Sequence, residues 1–132
     1  MKLQQSHTIL VVEDEKPIQR AIQTKLEQQG FHVFCVRGVK EAMTELKSAP
    51  KKEAIWLDHY LFGKEDGLDF LIKIKSKESS WKDIPIFVVS NSASTEKAKS
   101  YIKLGAEKYF TKSEHPLAEI IKDIVEVFEE KE

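Results

Sequence analysis

Five short apolar runs, separated by segments with helical spacing, constrain this 132-residue chain more than any other feature. The runs are rich in Ile, Val and Phe, and several are continuous rather than alternating. Continuous apolar runs are typical of strands that are covered on both faces of a parallel sheet. We predict strands over Thr8–Val12, Phe31–Val36, Glu53–Leu57, Ile84–Val89 and Lys108–Thr111.

The segments that follow these runs place apolar residues three and four positions apart, as on one face of a helix. The helical stripes cover residues 18–26, 39–46, 68–74, 98–102 and 117–128. Pro17 suits the first turn of the first helix, and Gly30 ends it. Five alternating strand–helix units with right-handed crossovers predict a flavodoxin-like, doubly wound α/β fold, whose parallel sheet has the strand order 2-1-3-4-5.

Length and composition narrow the class of protein. Hydrophobic residues make up 41% of the chain and charged residues 33%, which is typical of a folded globular protein, and we expect one domain over residues 1–132 with a core over about 8–128. The net charge of −1 gives no general attraction to nucleic acid or to anionic membranes. The sequence shows no secretory signal and no membrane-spanning run, and its single cysteine, Cys35, fits a reducing compartment, so we expect a cytoplasmic protein.

Polar side chains follow four of the five predicted strands at the point where each ends. Glu13 and Asp14 follow the first strand, Asp58 the third, Ser90 the fourth and Lys112 the fifth. Any one of them alone is more often a solvated loop residue or a helix cap. Ligands of open α/β sheets bind outside the carboxyl ends of the strands, so the joint pattern predicts one shared site.

The residue types indicate phosphoryl chemistry at that site. Carboxylates that are crowded together repel, and Mg²⁺ removes the repulsion because it prefers carboxylate oxygens, waters and phosphate oxygens. A carboxylate beside Mg²⁺ can attack phosphorus and form an aspartyl-phosphate. The ammonium of Lys112 and the hydroxyl of Ser90 can then contact the phosphoryl oxygens.

The sequence resembles the receiver domain of two-component response regulators over almost its whole length. The matching segments, in chain order, are ILVVEDEKP at 9–17, WLD at 56–58, DGLDFL at 66–71, PIFVVSNS at 85–92 and GAEKYFTK at 105–112. The resemblance implies that Asp58 accepts a phosphoryl group from a histidine kinase or phosphotransfer protein. It also implies that Glu13, Asp14, Asp58 and the backbone carbonyl of Tyr60 hold Mg²⁺.

The resemblance further implies how phosphorylation is read out. Ser90 and Lys112 are expected to bind the phosphoryl group, and Tyr109 stands where the family has its aromatic switch residue. The output is expected to be binding of a downstream protein, through the face made by the fourth helix, the fifth strand and the fifth helix. The same face is a possible homodimer interface. The protein is then a stand-alone signalling domain, not an enzyme, with self-phosphorylation and self-dephosphorylation as its only catalysis.

Three positions depart from the family pattern. Phe62 stands where a proline is usual, Asp66-Gly67 comes one residue later than usual, and Ser113 replaces the proline that usually follows the lysine. A cis bond before a non-proline residue costs roughly 2.5–4 kcal/mol. A trans bond before Ser113 and a slightly displaced Lys112 are therefore expected.

Two other functions compete with the phosphorylated receiver. A Mg²⁺-dependent phosphatase of the haloacid dehalogenase type also uses an aspartate after a strand, but it needs a second acid two residues later, where this chain has Tyr60. A degenerate receiver that binds partners without phosphorylation is the alternative that remains. The four histidines, His59 among them, do not cluster at ligand spacing and are expected to be ordinary surface or loop residues.

Overall fold

The computed structural model describes residues 3–92 and 94–132. The chain alternates strands and helices throughout. The strands are β1 (His7–Val12), β2 (Phe31–Val36), β3 (Ala54–Leu57), β4 (Ile86–Ser90) and β5 (Lys108–Thr111). The helices are α1 (Lys16–Gln28), α2 (Val39–Leu46), α3 (Gly67–Ile74), α4 (Thr95–Lys103) and α5 (Leu117–Lys131).

The five strands form one parallel sheet in the order β2-β1-β3-β4-β5. This confirms the predicted α/β fold of the flavodoxin-like type. Three strands differ from the predictions in their bounds: β1 begins one residue earlier at His7, β3 begins one residue later at Ala54, and β4 covers Ile86–Ser90 instead of Ile84–Val89. Pro85 explains the late start of β4, because a proline has no N–H to donate to the sheet.

Successive residues of the central strands point to opposite faces of the sheet and fill two cores. Ile9 and Val11 of β1 pack on the face covered by α1 and α5. Leu10 and Val12 pack on the face covered by α2, α3 and α4. Each fully buried side chain of this size contributes about 1.5–3 kcal/mol, so both faces stabilise the sheet and hold its strand ends in place. No helix described in residues 3–92 and 94–132 has the length and apolar character to cross a membrane.

The start of α3 is held close to the end of β3. Asp66 and Asp69 form a capping box, in which each side chain accepts a hydrogen bond from the backbone N–H of the other. Gly67 is the first residue of the helix, and a Cβ atom there would lie 2.6 Å from the carbonyl oxygen of Asp58 and 2.6 Å from the hydroxyl of Tyr101. Only glycine allows this close approach of α3, β3 and α4.

Candidate functional site

Three carboxylates meet at the carboxyl end of the sheet. Glu13, Asp14 and Asp58 each offer an oxygen, and these oxygens all lie within 4.8 Å of one another. Glu13 is fully enclosed and Asp58 is 6% exposed, so two of the three acids are removed from bulk water. The structure therefore brings together the acids that the sequence places after the first and third strands.

The parallel register explains why these acids meet. Val12 of β1 pairs with Leu57 of β3, so the residues that follow the two strands leave the sheet side by side. The backbone N–H of Asp58 donates to the carbonyl of Val12 at 3.1 Å, and that of Glu13 donates to the carbonyl of Val36 at 3.0 Å. These bonds continue the sheet pairing by one residue and fix both acids at its edge.

Lys112 enters the same site from the end of β5. Its ammonium nitrogen lies 3.2 Å from Oε1 of Glu13 and 3.6 Å from Oδ2 of Asp58. Its backbone N–H donates to the carbonyl of Ser90 at 2.8 Å. Among the peptide bonds described, only Ala49–Pro50 is cis, so the bond before Ser113 is trans and the ammonium still reaches both carboxylates.

The site carries an excess of buried negative charge. Burial, followed by the charge of Asp58, raises the pKa of Glu13 to about 7, against the opposing effects of the Glu15 N–H and Lys112. Burial also raises the pKa of Asp58, although the charge of Lys112 and the N–H of His59 oppose this. One ammonium therefore does not compensate for the three crowded acids.

The donor set fits a hard divalent cation. Carboxylate oxygens within 4.8 Å of one another can share one ion, and Mg²⁺ is usually bound through a few carboxylates together with waters and phosphate oxygens. Receiver domains bind Mg²⁺ as a class, and Glu13, Asp14 and Asp58 would hold it here. The backbone carbonyl of Tyr60 stays a predicted fourth protein ligand.

Ser90 and Tyr109 lie on the neighbouring strands β4 and β5. Ser90 is the last residue of β4 and is fully buried, and its hydroxyl accepts a hydrogen bond from the N–H of Ser92 at 3.2 Å. Tyr109 of β5 is half-buried, and its hydroxyl donates to the carbonyl of Ser92 at 2.8 Å. Both side chains therefore form hydrogen bonds with Ser92, which follows β4.

Two aromatic residues border the site on the loop after β3. Tyr60 is exposed, and the ammonium of Lys97 lies 5.1 Å from its ring centroid. Phe62 is also exposed, with the guanidinium of Arg37 at 4.8 Å from its ring. The backbone N–H of Phe62 donates to the carbonyl of Arg37 at 3.1 Å, a bond that proline could not make. Phe62 thus anchors this loop to the end of β2.

His59 lies on the loop after β3, as one of the two predicted alternatives has it, but it is not at the surface. The residue is only 8% exposed, and its backbone N–H donates to Oδ1 of Asp58 at 2.7 Å. Its Nδ1 atom lies 2.6 Å from the hydroxyl of Tyr101. The position of His59 directly after Asp58 was the one available signal, because its partner on α4 is distant in the sequence.

Comparisons with known proteins agree on one family. Residues 9–124 match the response regulator receiver domain family. The phosphate regulon transcriptional regulatory protein PhoB of Klebsiella pneumoniae is 35% identical over 108 residues, which are 82% of this chain and 46% of PhoB. PhoB of Escherichia coli K12 is 34% identical over the same shares. The chain therefore spans about half the length of these relatives.

Solved structures give the same result. The receiver domain of the Francisella response regulator 1452 has a TM-score of 0.81 and 26% identity, and the match covers 95% of this chain and 98% of that domain. The phosphorylated cyanobacterial phytochrome response regulator RcpA has a TM-score of 0.78 and 33% identity, with 96% of this chain and 93% of RcpA covered. On its sequence and its fold, this chain belongs to the response regulator receiver domain family of two-component signalling proteins.

Proposed function

We propose that this chain is the phosphoacceptor of a two-component phosphorelay and that Asp58 takes the phosphoryl group from a phosphohistidine of a histidine kinase or phosphotransfer protein. The observation that carries this proposal is the convergence of three carboxylates with the Lys112 ammonium, which lies 3.6 Å from Asp58. We include in the proposal that residues 1–132 act as one cytoplasmic receiver domain whose output is protein binding.

In the proposed transfer, a carboxylate oxygen of Asp58 attacks phosphorus while the bond from phosphorus to the donor imidazole breaks. The imidazole leaves with the electron pair of that bond and takes up a proton. The backbone N–H of His59 holds Oδ1 of Asp58 at 2.7 Å, which orients the carboxylate before the reaction. A Mg²⁺ ion held by the three acids and the Tyr60 carbonyl would neutralise charge on the phosphoryl oxygens.

Lys112 and Ser90 supply the remaining contacts to the product. The ammonium of Lys112 already faces Asp58, and the buried hydroxyl of Ser90 lies at the same edge of the sheet. The phosphoryl group brings about −1.5 to −2 charge at neutral pH together with new acceptor oxygens. Movement of Ser90 toward these oxygens pulls on Ser92, which Tyr109 holds through its hydroxyl.

The switched surface in this proposal is the face made by α4, β5 and α5. Tyr109 lies on β5 and packs against Tyr101 of α4, with ring centroids 5.7 Å apart. A change in the Ser92 contact therefore alters the packing between β5 and α4. We propose that a downstream protein, or a second copy of the chain, binds this face after phosphorylation, without direct contact to nucleic acid or membrane.

Labelling by a small phosphodonor tests the proposal. With Mg²⁺ and acetyl phosphate, intact-mass spectrometry should show the gain of one phosphoryl group on the wild type and no gain on Asp58→Asn. Asp83→Asn is the matched control, because it makes the same change at an exposed position between α3 and β4, and it should be labelled like the wild type. A wild type without label, or a labelled Asp58→Asn, would contradict the proposal, and the first result would favour the phosphorylation-independent receiver.

A further inference from the structure

A hydrogen bond joins His59, the residue after Asp58, to the last turn of helix α4. The Nδ1 atom of His59 lies 2.6 Å from the hydroxyl oxygen of Tyr101, and the two rings meet edge to face with centroids 5.8 Å apart. Both residues are buried, and Tyr101 is fully enclosed. The phosphotransfer steps proposed above use the backbone N–H of His59 but neither side chain of this pair.

The surroundings of His59 and Tyr101 indicate which of the two side chains donates the hydrogen bond and which accepts it. Burial raises the pKa of Tyr101, so its hydroxyl stays protonated and donates. Because the Tyr101 hydroxyl donates, Nδ1 of His59, which lies 2.6 Å from it, is the acceptor of this bond. The ring proton is then on Nε2, which faces the carboxylate of Asp66 at 3.7 Å. Polar groups on both sides of the ring therefore determine its orientation.

The backbone of His59 links the orientation of its imidazole to the candidate site. Its N–H donates to Oδ1 of Asp58 at 2.7 Å, and its carbonyl accepts from the N–H of Gly67 at 2.8 Å. The imidazole lies between the Tyr101 hydroxyl of α4 and the Asp66 carboxylate at the start of α3, so its contacts help to hold the backbone of this residue in place. A Cβ atom at Gly67 would lie 2.6 Å from the Tyr101 hydroxyl and 3.0 Å from the Cα of His59, so the start of α3 packs directly against this pair.

The same tyrosine also contacts the residue proposed as the switch. The ring of Tyr101 packs on the ring of Tyr109 at 5.7 Å, and the hydroxyl of Tyr109 donates to the carbonyl of Ser92. Tyr101 thus contacts both the His59 imidazole and the Tyr109 ring.

We propose that His59 and Tyr101 are positioning residues for phosphotransfer: the hydrogen bond between them fixes the peptide that orients the Asp58 carboxylate. The inference rests on the proposed function, because the orientation of Asp58 matters for the rate only if Asp58 is the acceptor. Reaction rates are sensitive to small displacements of a nucleophile, so the loss of this one bond slows phosphotransfer without removing any reacting atom.

The first test is the Tyr101→Phe substitution, which removes one oxygen atom and keeps the ring. Loss of a hydrogen bond of this kind corresponds to a change of about threefold to tenfold. We expect acetyl phosphate with Mg²⁺ to label Asp58 more slowly by that factor. In the metal-free protein, we expect the backbone amide of His59 to exchange with solvent faster by about the same factor, because its bond to Asp58 is no longer held in place.

Substitutions at position 59 distinguish positioning from a general loss of stability. In His59→Asn, the side-chain amide can occupy the place of Nδ1, so this variant should label close to the wild-type rate. His59→Leu should be as slow as Tyr101→Phe, and the double variant should be no slower than either. His7→Gln is the control for stability, because it disturbs two partly buried hydrogen bonds at the opposite end of β1 and should leave the labelling rate unchanged.

The outcomes separate the two proposals. If the wild type is labelled on Asp58 and Tyr101→Phe is labelled equally fast, the positioning role is wrong while the phosphoacceptor role stands. The positioning role is also wrong if Tyr101→Phe slows labelling as strongly in the His59→Leu background, since the effect then does not pass through the imidazole. A wild type that takes no label overturns both proposals together.

Discussion

Replacement of Asp58 by asparagine should stabilise the metal-free protein. The substitution keeps the shape of the side chain and an oxygen that can accept from the His59 N–H, now at 2.7 Å from Oδ1. It removes one negative charge from a cluster in which three carboxylate oxygens lie within 4.8 Å of one another. In the unfolded chain these charges are far apart, so their repulsion acts on the folded state alone.

Two opposing interactions of Asp58 determine the magnitude. At an effective dielectric constant of about 20, its attraction to the ammonium of Lys112 at 3.6 Å is about 5 kcal/mol. At pH 8, where Glu13 with its pKa of about 7 is ionised, repulsion from Glu13 and Asp14 at up to 4.8 Å totals about 7 kcal/mol. Asparagine should therefore raise the free energy of unfolding by about 2 kcal/mol, and relief of the buried charge acts in the same direction.

Urea denaturation at pH 8 in EDTA measures this difference. With a urea dependence of about 2 kcal/mol per molar, the midpoint of Asp58→Asn should lie about 1 M above that of the wild type. Added salt should reduce the difference between the two midpoints, because it screens the charge of Asp14, the partly exposed acid of the three. Glu78→Gln, a loss of one carboxylate at an exposed position after α3, is the control and should leave the midpoint almost unchanged.

Mg²⁺ should reverse the order of the two proteins. At a concentration of 100 times its dissociation constant, a ligand adds about 2.7 kcal/mol to the free energy of unfolding, and the wild type should bind the ion more tightly because it keeps all three acids. A variant that is less stable than the wild type in EDTA would refute the reasoning, since it would show that the Lys112 attraction exceeds the repulsion among the acids.

Two further predictions concern groups far from the acids. His7 lies between Glu53 and Glu132 at 3.0 and 2.9 Å; burial lowers its pKa, but these two partners outweigh burial and the pKa is raised. The charge of His7 therefore stabilises the fold fully below the unfolded pKa of about 6.5, and this stabilisation is lost as the pH rises through the folded pKa. His7→Gln should lower the urea midpoint more at pH 5.5 than at pH 9. An equal loss at both pH values would contradict this. Lys52 is fully buried, and its ammonium donates to two backbone carbonyls at the end of α2 at 2.7 and 2.9 Å. Lys52→Met should therefore lower the free energy of unfolding by about 2–4 kcal/mol. Lys51→Met, at the exposed neighbouring position, is the control and should change the free energy of unfolding little in the same urea titration.

Much of the fold was predictable because the patterns that specify it are local. Continuous apolar runs predicted all five strands within two residues at each end. The error at the start of β4 came from Pro85, because the apolar pattern does not show that proline lacks an N–H to donate to the sheet. Chain order and the general behaviour of parallel sheets then predicted that Glu13, Asp14 and Asp58 would share one edge.

Polar contacts inside the protein were not predictable in this way. His59 has the same type of sequence neighbourhood as any loop histidine, and its partner Tyr101 lies 42 residues further on. Lys52 has the composition of a surface residue, yet it is buried with its ammonium at the carbonyls of α2. Each contact depends on the spacing and rotation of whole helices, and the sequence of a short segment does not specify either.

By itself, the sequence determined the alternation of five strands with five helices and the set of charged side chains that leave the sheet at its carboxyl edge. Apolar burial has no direction, so a correctly spaced pattern is sufficient to specify it. The tertiary structure alone decided that the His59 imidazole meets the Tyr101 hydroxyl and that the Lys52 ammonium lies at the carbonyls that end α2. A hydrogen bond requires two particular atoms at about 3 Å with the correct angle, and that condition is met only when the helices and strands have packed in their final positions.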